Sequence, residues 1–357
     1  LPETQDSFAE LTRIFHAPPN HRVTPTLGNY DGVAKCFRLL GEPGDSFLAD
    51  EFTFSALADA AGYHGVNWVP VRIDAGGLVP EQLESLLANW NVEQRGRRPH
   101  VLYTTPCGQN PTGSTLSLER RKAIYDIACR WDLIIVEDGT RFFPPIIRCS
   151  DRMTDPYYFL QYDLPAIDTA DPDFAAKYAQ GFTPSFLSMD VEGRVLRNDS
   201  FSKALAPGLR LGWVTASPFF TEQLVFLTDA STMHPAGFGQ SFMLELLGPR
   251  GWGINGYARW AHSLCADYRR RRDAFQAFFA EHVPPALATA DVPQAGMFFW
   301  IKIAIERHPR FKVEEDKRTL MEELFNKLLE DGVVMMPASI FAIVERGQGK
   351  TAADPQV

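Results

Sequence analysis

The chain has 357 residues, enough for one large domain and a smaller one. Hydrophobic residues make up 45% and charged residues 22%, ordinary proportions for a globular protein. The formal net charge of −9 argues against nucleic acid as a partner, since a phosphate backbone needs a basic surface; a small anion in one local cationic pocket stays compatible.

Asp31–Leu40 has helical spacing and runs into the turn Gly41-Glu42-Pro43-Gly44. Asp45–Leu48 reads as a strand, Phe54–Ala61 as a helix, Val66–Ile73 as a strand and Glu81–Trp90 as a helix. His100–Thr104 is a buried-type strand, Leu118–Arg130 an amphipathic helix and Leu133–Val136 a strand. Such alternation predicts an α/β domain with a mostly parallel sheet, whose ligands sit beyond the carboxyl ends of the strands. Gly139–Thr154 lacks periodicity, and Tyr162–Pro184, polar and rich in Ala and Asp, reads as a surface loop. Long helices are expected at Phe219–Thr232 and Ala258–Glu281. A smaller α/β piece follows, with a strand at Gly296–Ile305, a helix at Glu314–Asp331 and a strand at Val333–Met336. The expected division is 28–260 for the large domain and 261–357 for the small one.

The five cysteines form no CxxC pair, which speaks for free thiols rather than disulfides or structural zinc. No apolar run is long enough to span a bilayer, and the start of the chain shows no signal-peptide pattern, so a cytoplasmic protein with no membrane partner is expected. Gly349-Lys350-Thr351 is not the end of a P-loop, because the glycine required five residues before Gly349 is Val344.

Three constellations carry chemistry. The first is Ser200-Phe201-Ser202-Lys203 with Arg210 seven residues on. Two hydroxyls and a guanidinium around a short turn can hold a phosphate by charge-assisted hydrogen bonds. A desolvated lysine in that cup is a nucleophile within reach of an aldehyde tethered to the phosphate. The second is Pro106-Cys107-Gly108-Gln109-Asn110-Pro111-Thr112-Gly113, a Pro/Gly loop that follows an apolar strand and presents the Asn110 amide to a ring oxygen. The third is Asp155-Pro156-Tyr157-Tyr158: a carboxylate keeps a pyridine nitrogen protonated, and Tyr158 adds a phenol for the ring oxygen.

In order and spacing these motifs resemble those of the fold-type I, pyridoxal 5'-phosphate (PLP)-dependent aminotransferases of class I/II. The aromatic amino acid, kynurenine and 2-aminoadipate branch, and fungal aromatic aminotransferases in particular, are the most similar. The resemblance runs from about Leu27 to Phe341 and includes Gly28-Asn29-Tyr30-Asp31-Gly32, Gln109-Asn110-Pro111-Thr112-Gly113, Ser200-Phe201-Ser202-Lys203, Gly208-Leu209-Arg210-Leu211-Gly212 and Ala295-Gly296-Met297-Phe298-Phe299-Trp300. It implies a mostly parallel large-domain sheet flanked by helices, a smaller C-terminal α/β domain, and transamination between an aromatic amino acid and a 2-oxo acid such as 2-oxoglutarate. By the same resemblance Lys203 binds PLP covalently and shuttles the proton, Asp155 pairs with the pyridinium, and Asn110 and Tyr158 contact the phenolate oxygen. Ser200, Ser202 and Arg210 hold the phosphate with Asn29 and Tyr30 at a helix N-terminus, and Phe54 stacks on the ring. A homodimer is implied as well.

The sequence departs from this pattern in two ways. Family members run Glu-Asp-Asp-Pro-Tyr-Tyr unbroken, whereas here Gly139–Thr154 separates Glu137-Asp138 from Asp155, so either Asp155 or Asp138 meets the pyridinium. This insert has the texture of translated non-coding sequence, and comparison of transcript with genomic DNA distinguishes a retained intron from a real insertion. Residues 1–27 read as a remnant of the family's N-terminal segment, and after Phe341 no arginine matches the one that binds the substrate carboxylate. On that reading, transamination by the chain as given is weak or absent, with PLP binding at most.

Overall fold

A computed structural model of the chain describes residues 1–138, 157–313 and 316–345. Its centre is a seven-stranded sheet in the order β1-β9-β8-β7-β6-β2-β3. The strands are β1 (Arg22–Thr26), β2 (Ser46–Asp50), β3 (Asn67–Val71), β6 (Val101–Thr104), β7 (Ile134–Glu137), β8 (Val195–Ser200) and β9 (Gly212–Ala216). Between β3 and β6 lies a small antiparallel pair, β4 (Ile73–Asp74) and β5 (Gly77–Leu78). Strands β3, β2, β6, β7 and β8 are mutually parallel; β9 runs antiparallel to both β8 and β1.

The parallel strands are buried on both faces, which explains their continuous apolar runs. Alternate side chains feed two cores. Phe47, Ala49, Val101, Tyr103, Val136 and Leu196 face helices α2 (Asn29–Leu40) and α3 (Ser55–Gly62). Leu48, Leu102, Ile135 and Val195 face α4 (Pro80–Ala88) and α6 (Leu118–Trp131), with the short α5 (Val92–Arg95) between those helices in the chain. Helix α6 begins at Ser117, whose hydroxyl accepts from the Arg120 amide, and stops where Asp132 turns left-handed.

A third core lies at the β1 edge. Here α1 (Pro2–His16), α7 (Phe174–Gln180), α10 (Gly237–Leu247) and α11 (Gly253–His282) enclose Phe8, Phe15, Phe159, Tyr178, Phe201, Trp213 and Tyr257. Short α8 (Phe186–Met189) leads into β8, and α9 (Pro218–Asp229) follows β9. The C-terminal piece holds the pair β10 (Ala288–Asp291) and β11 (Trp300–Ile303) and helix α12 (Asp316–Glu330).

Expectations for three stretches, 162–184, Gly296–Ile305 and Val333–Met336, are corrected here. The stretch 162–184 is not wholly a surface loop: it contains α7, whose Phe174 and Tyr178 are buried against Phe15, Phe182 and His262. Residues 1–27 form α1 and an edge strand, with Phe8 and Leu11 fully buried. The expected boundary at 260/261 falls inside α11, which is continuous. Val333–Met336 forms no strand, and Gly296–Ile305 contracts to β11. A strand needs a ladder partner, and among the described residues β10 pairs only with β11, which leaves Val333 and Val334 exposed. Gly139–Thr154 lies outside the described residues.

Candidate active site

Parallelism brings the candidate residues together. Because β2, β6, β7 and β8 run the same way, the segments that follow them leave from one edge of the sheet. Thr26 at the end of β1 pairs with Gly212 at the start of β9, and Ser200 at the end of β8 pairs with the same Gly212. That edge therefore carries Gly28, Asn110, Asp138, Ser200, Lys203 and Arg210 on adjacent connections.

The turn after β8 is closed by Phe201 N–H donating to Leu211 C=O at 3.2 Å, with Lys203 buried within it. The Ser200 and Ser202 hydroxyls are 3.1 Å apart and both residues are buried. Arg210 adopts a left-handed backbone and donates from its guanidinium to Leu27 C=O at 3.2 Å, across to the start of α2. Gly28, with φ +95°, lies under that guanidinium: a Cβ there would sit 2.7 Å from Arg210 Nη2. Glycine is thus required twice over, for its backbone angle and for the close approach. The first turn of α2, with its unsatisfied amides, faces the same corner.

In the loop after β6, Gln109 does the bracing. Its amide donates to Phe52 C=O at 2.6 Å, and its Oε1 accepts from the Thr112 amide and hydroxyl at 2.9 and 2.7 Å. Asn110 is thereby presented with its side chain 1% exposed, and neither Oδ1 nor Nδ2 has a protein partner. A buried amide with no partner is costly and marks a place built for a polar ligand group.

Asp138 follows β7 directly. Its amide donates to Thr104 C=O at 2.9 Å, so the ladder with β6 fixes its backbone upstream of the insert. Its carboxylate is buried and accepts from Asn29 Nδ2 and from the Tyr103 hydroxyl. The Asn29 side chain thus turns to a carboxylate rather than to the phosphate corner. Tyr30 is half-buried and donates to Ala56 C=O at 3.2 Å; burial, with smaller contributions from Asp59 and Tyr63, raises its pKa. Phe54 is buried at the start of α3 in the core that includes Val33 and Leu57. Asp155 and the side chain of Tyr158 lie outside the described residues.

Behind the site sits a buried ion cluster that sequence reading missed. Arg197 on β8 bonds Glu137 on β7 at 2.8 Å and Asp199 at 2.8 Å, and Glu137 also accepts from the Phe186 and Leu187 amides at 3.3 and 3.2 Å. Charged residues inside a strand of otherwise buried type were the available signal. Tyr103 was missed because a tyrosine in a buried strand reads as core.

These residues fit PLP: hydroxyls and a guanidinium for the phosphate, a buried amide for the ring oxygen, a buried carboxylate for the ring nitrogen and a buried lysine for the aldehyde. Among the described residues no group of side chains could hold a metal ion, and no helix is long and apolar enough to cross a membrane.

The candidate site lies at the carboxyl edge of an α/β sheet and is built around a buried lysine. The family model for aminotransferase class I and II matches residues 4–139 and 166–354. The chain belongs to this family. The matched segments leave out 140–165, which includes most of the insert expected at 139–154 and also Asp155 and Tyr158. It is 48% identical over 381 residues to an L-tyrosine:2-oxoglutarate aminotransferase of Tapinella panuoides, covering 97% of the chain and 70% of the relative. It is 51% identical over 354 residues to an L-tyrosine:2-oxoglutarate aminotransferase of Serpula lacrymans, covering 96% and 65%. The solved aminotransferase Aro8 from Candida albicans superposes with a TM-score of 0.84 at 37% identity, covering 97% of this chain and 69% of that one. The chain thus spans about two thirds of the length of the relatives it matches.

Proposed function

We propose that the protein transfers the amino group of an aromatic amino acid, tyrosine first among them, to a 2-oxo acid such as 2-oxoglutarate, with PLP as cofactor. Kynurenine and 2-aminoadipate are the neighbouring substrate choices, as a kynurenine/alpha-aminoadipate aminotransferase from Bos taurus is 34% identical over 351 residues. The observation that carries this reading is the convergence of Lys203, the Ser200/Ser202/Arg210 corner, the unpartnered Asn110 amide and the Asp138 carboxylate on one sheet edge.

PLP, when bound, withdraws electrons from the substrate α-carbon. Every other task falls to the chain. Lys203 would hold the cofactor covalently through Nζ and would move the proton at the substrate Cα. Ser200, Ser202, Arg210 and the amides of Asn29 and Tyr30 would bind the phosphate, Asn110 would donate to the ring oxygen, and Phe54 would pack against the ring. Asp138 takes the pyridinium role in preference to Asp155, because it is buried at the end of β7 beside the Asn110 loop and is fixed before the insert begins. A homodimer is supported by the large aromatics left exposed on α9 and α10, Phe226, Phe238 and Phe242.

The test is the visible spectrum of purified protein loaded with PLP, followed by addition of L-tyrosine and then 2-oxoglutarate. The expected result is a cofactor band that shifts with the amino acid and returns with the oxo acid. A band indifferent to both would favour a chain that holds PLP without turnover, and no band would overturn the reading.

A further inference from the structure

Three buried residues from three elements meet at one carboxylate. Asp138 ends β7, Asn29 opens α2, and Tyr103 points from β6 into the core beneath them. Tyr103 is 1% exposed, and its ring is held edge-on by Phe37 and Trp68 at centroid distances of 5.5 and 6.1 Å. Its hydroxyl donates to Asp138 Oδ2, while Asn29 Nδ2 donates to Oδ1. Each oxygen thus accepts a hydrogen bond from a donor on a rigid element.

We infer that Tyr103 is a positioning residue for the cofactor ring: its hydroxyl fixes the Asp138 carboxylate and keeps it the weaker base of the pair, so that the proton stays on the ring nitrogen. The inference rests on Asp138 as the pyridinium partner. A hydrogen bond to the charged form of an acid favours that form. Without the Tyr103 donor, Asp138 competes better for the shared proton, and a neutral ring is a poorer electron sink. The donor is always present: burial first, then the Asp138 charge and bond, hold the Tyr103 phenol well above its ordinary pKa. The titratable neighbours are Asp50 at the end of β2, whose charge also raises Tyr103, and Cys36 on α2, pushed up to about 12 mainly by burial.

The experiment uses the full chain loaded with PLP labelled with 15N at the ring, as wild type, Tyr103→Phe and Asp138→Asn. The readouts are the ring-nitrogen chemical shift against pH and the melting temperature. Phe keeps the ring that packs on Phe37 and Trp68, so Y103F should fold, with a melting temperature within a few degrees of wild type. In Y103F the ring-nitrogen resonance at a given pH should move towards its neutral-ring value, because part of the shared proton passes from the ring nitrogen to Asp138. D138N should lose the protonated signal outright. If D138N moves the resonance and Y103F leaves it at the wild-type value, Tyr103 only packs and the inference is overturned. If D138N leaves the resonance unmoved, or the protein does not take up PLP, the Asp138 reading itself fails.

Discussion

Gly28→Ala isolates the phosphate corner at a single atom. The added Cβ meets the Arg210 guanidinium, and the residue must hold φ +95°. PLP affinity should fall by about tenfold or more, equivalent to ~1.4 kcal/mol, measured by fluorescence titration against the wild type. Asp50 gives a second residue-scale prediction. Burial raises its pKa to about 7, against hydrogen bonds from the Thr105 backbone, Thr104 and Gln109 that lower it. The folded state therefore holds this proton more tightly than the unfolded chain. The associated stability is fully present below the ordinary carboxylic range and is lost as pH rises to about 7. Urea denaturation should show stability falling across that window by up to roughly 1.4 kcal/mol per pH unit from this group, and Asp50→Asn should flatten the slope. A pH-independent difference between the two proteins would contradict it. Residues of this kind were partly legible in the sequence. Lys203, Asn110 and Arg210 sit in motifs whose spacing is chemical. Tyr103 acts on Asp138 and Arg197 on Glu137, partners more than thirty residues away in sequence that only the folded sheet brings near.

At the scale of elements, the site depends on how β6, β7 and β8 are tied at their ends. Arg197 joins β7 to β8 through Glu137 and Asp199, one residue before Asp138 and one before Ser200. Replacing it by methionine leaves two buried carboxylates without their cation, at a cost of ~3–5 kcal/mol. The expected outcome is a large drop in the urea midpoint, with PLP uptake lost in parallel; a drop below ~1 kcal/mol would show that the cluster is not what ties these strands. The apolar runs of these strands and the helical spacing between them are period signals, and they placed most elements of the sheet. The stretch 162–184 misled because α7 covers about two turns with only Phe174, Ala175 and Tyr178 turned inward, too short for a periodic signature. Val333–Met336 misled in the opposite direction: β-branched residues favour a strand, but a strand exists only where another offers its ladder.

For the whole molecule, the parallel order of the sheet follows from the alternation of strands and helices, whereas the edge at which four connections converge is a property of the register and could be anticipated only as a rule about parallel sheets. Assembly is testable on the same scale. Phe226→Glu with Phe238→Glu should convert a dimer to a monomer in sedimentation equilibrium without lowering the melting temperature of the protomer, because both rings are exposed, Phe238 at 86%. An unchanged mass would exclude this face as the contact. The central claim remains that Lys203 is where the cofactor is attached. Borohydride reduction of the PLP-loaded protein, followed by peptide mass mapping, tests it most directly. The account predicts the cofactor mass on Lys203 alone, and its disappearance in Lys203→Ala. Label spread over surface lysines, or retained elsewhere in Lys203→Ala, would contradict it.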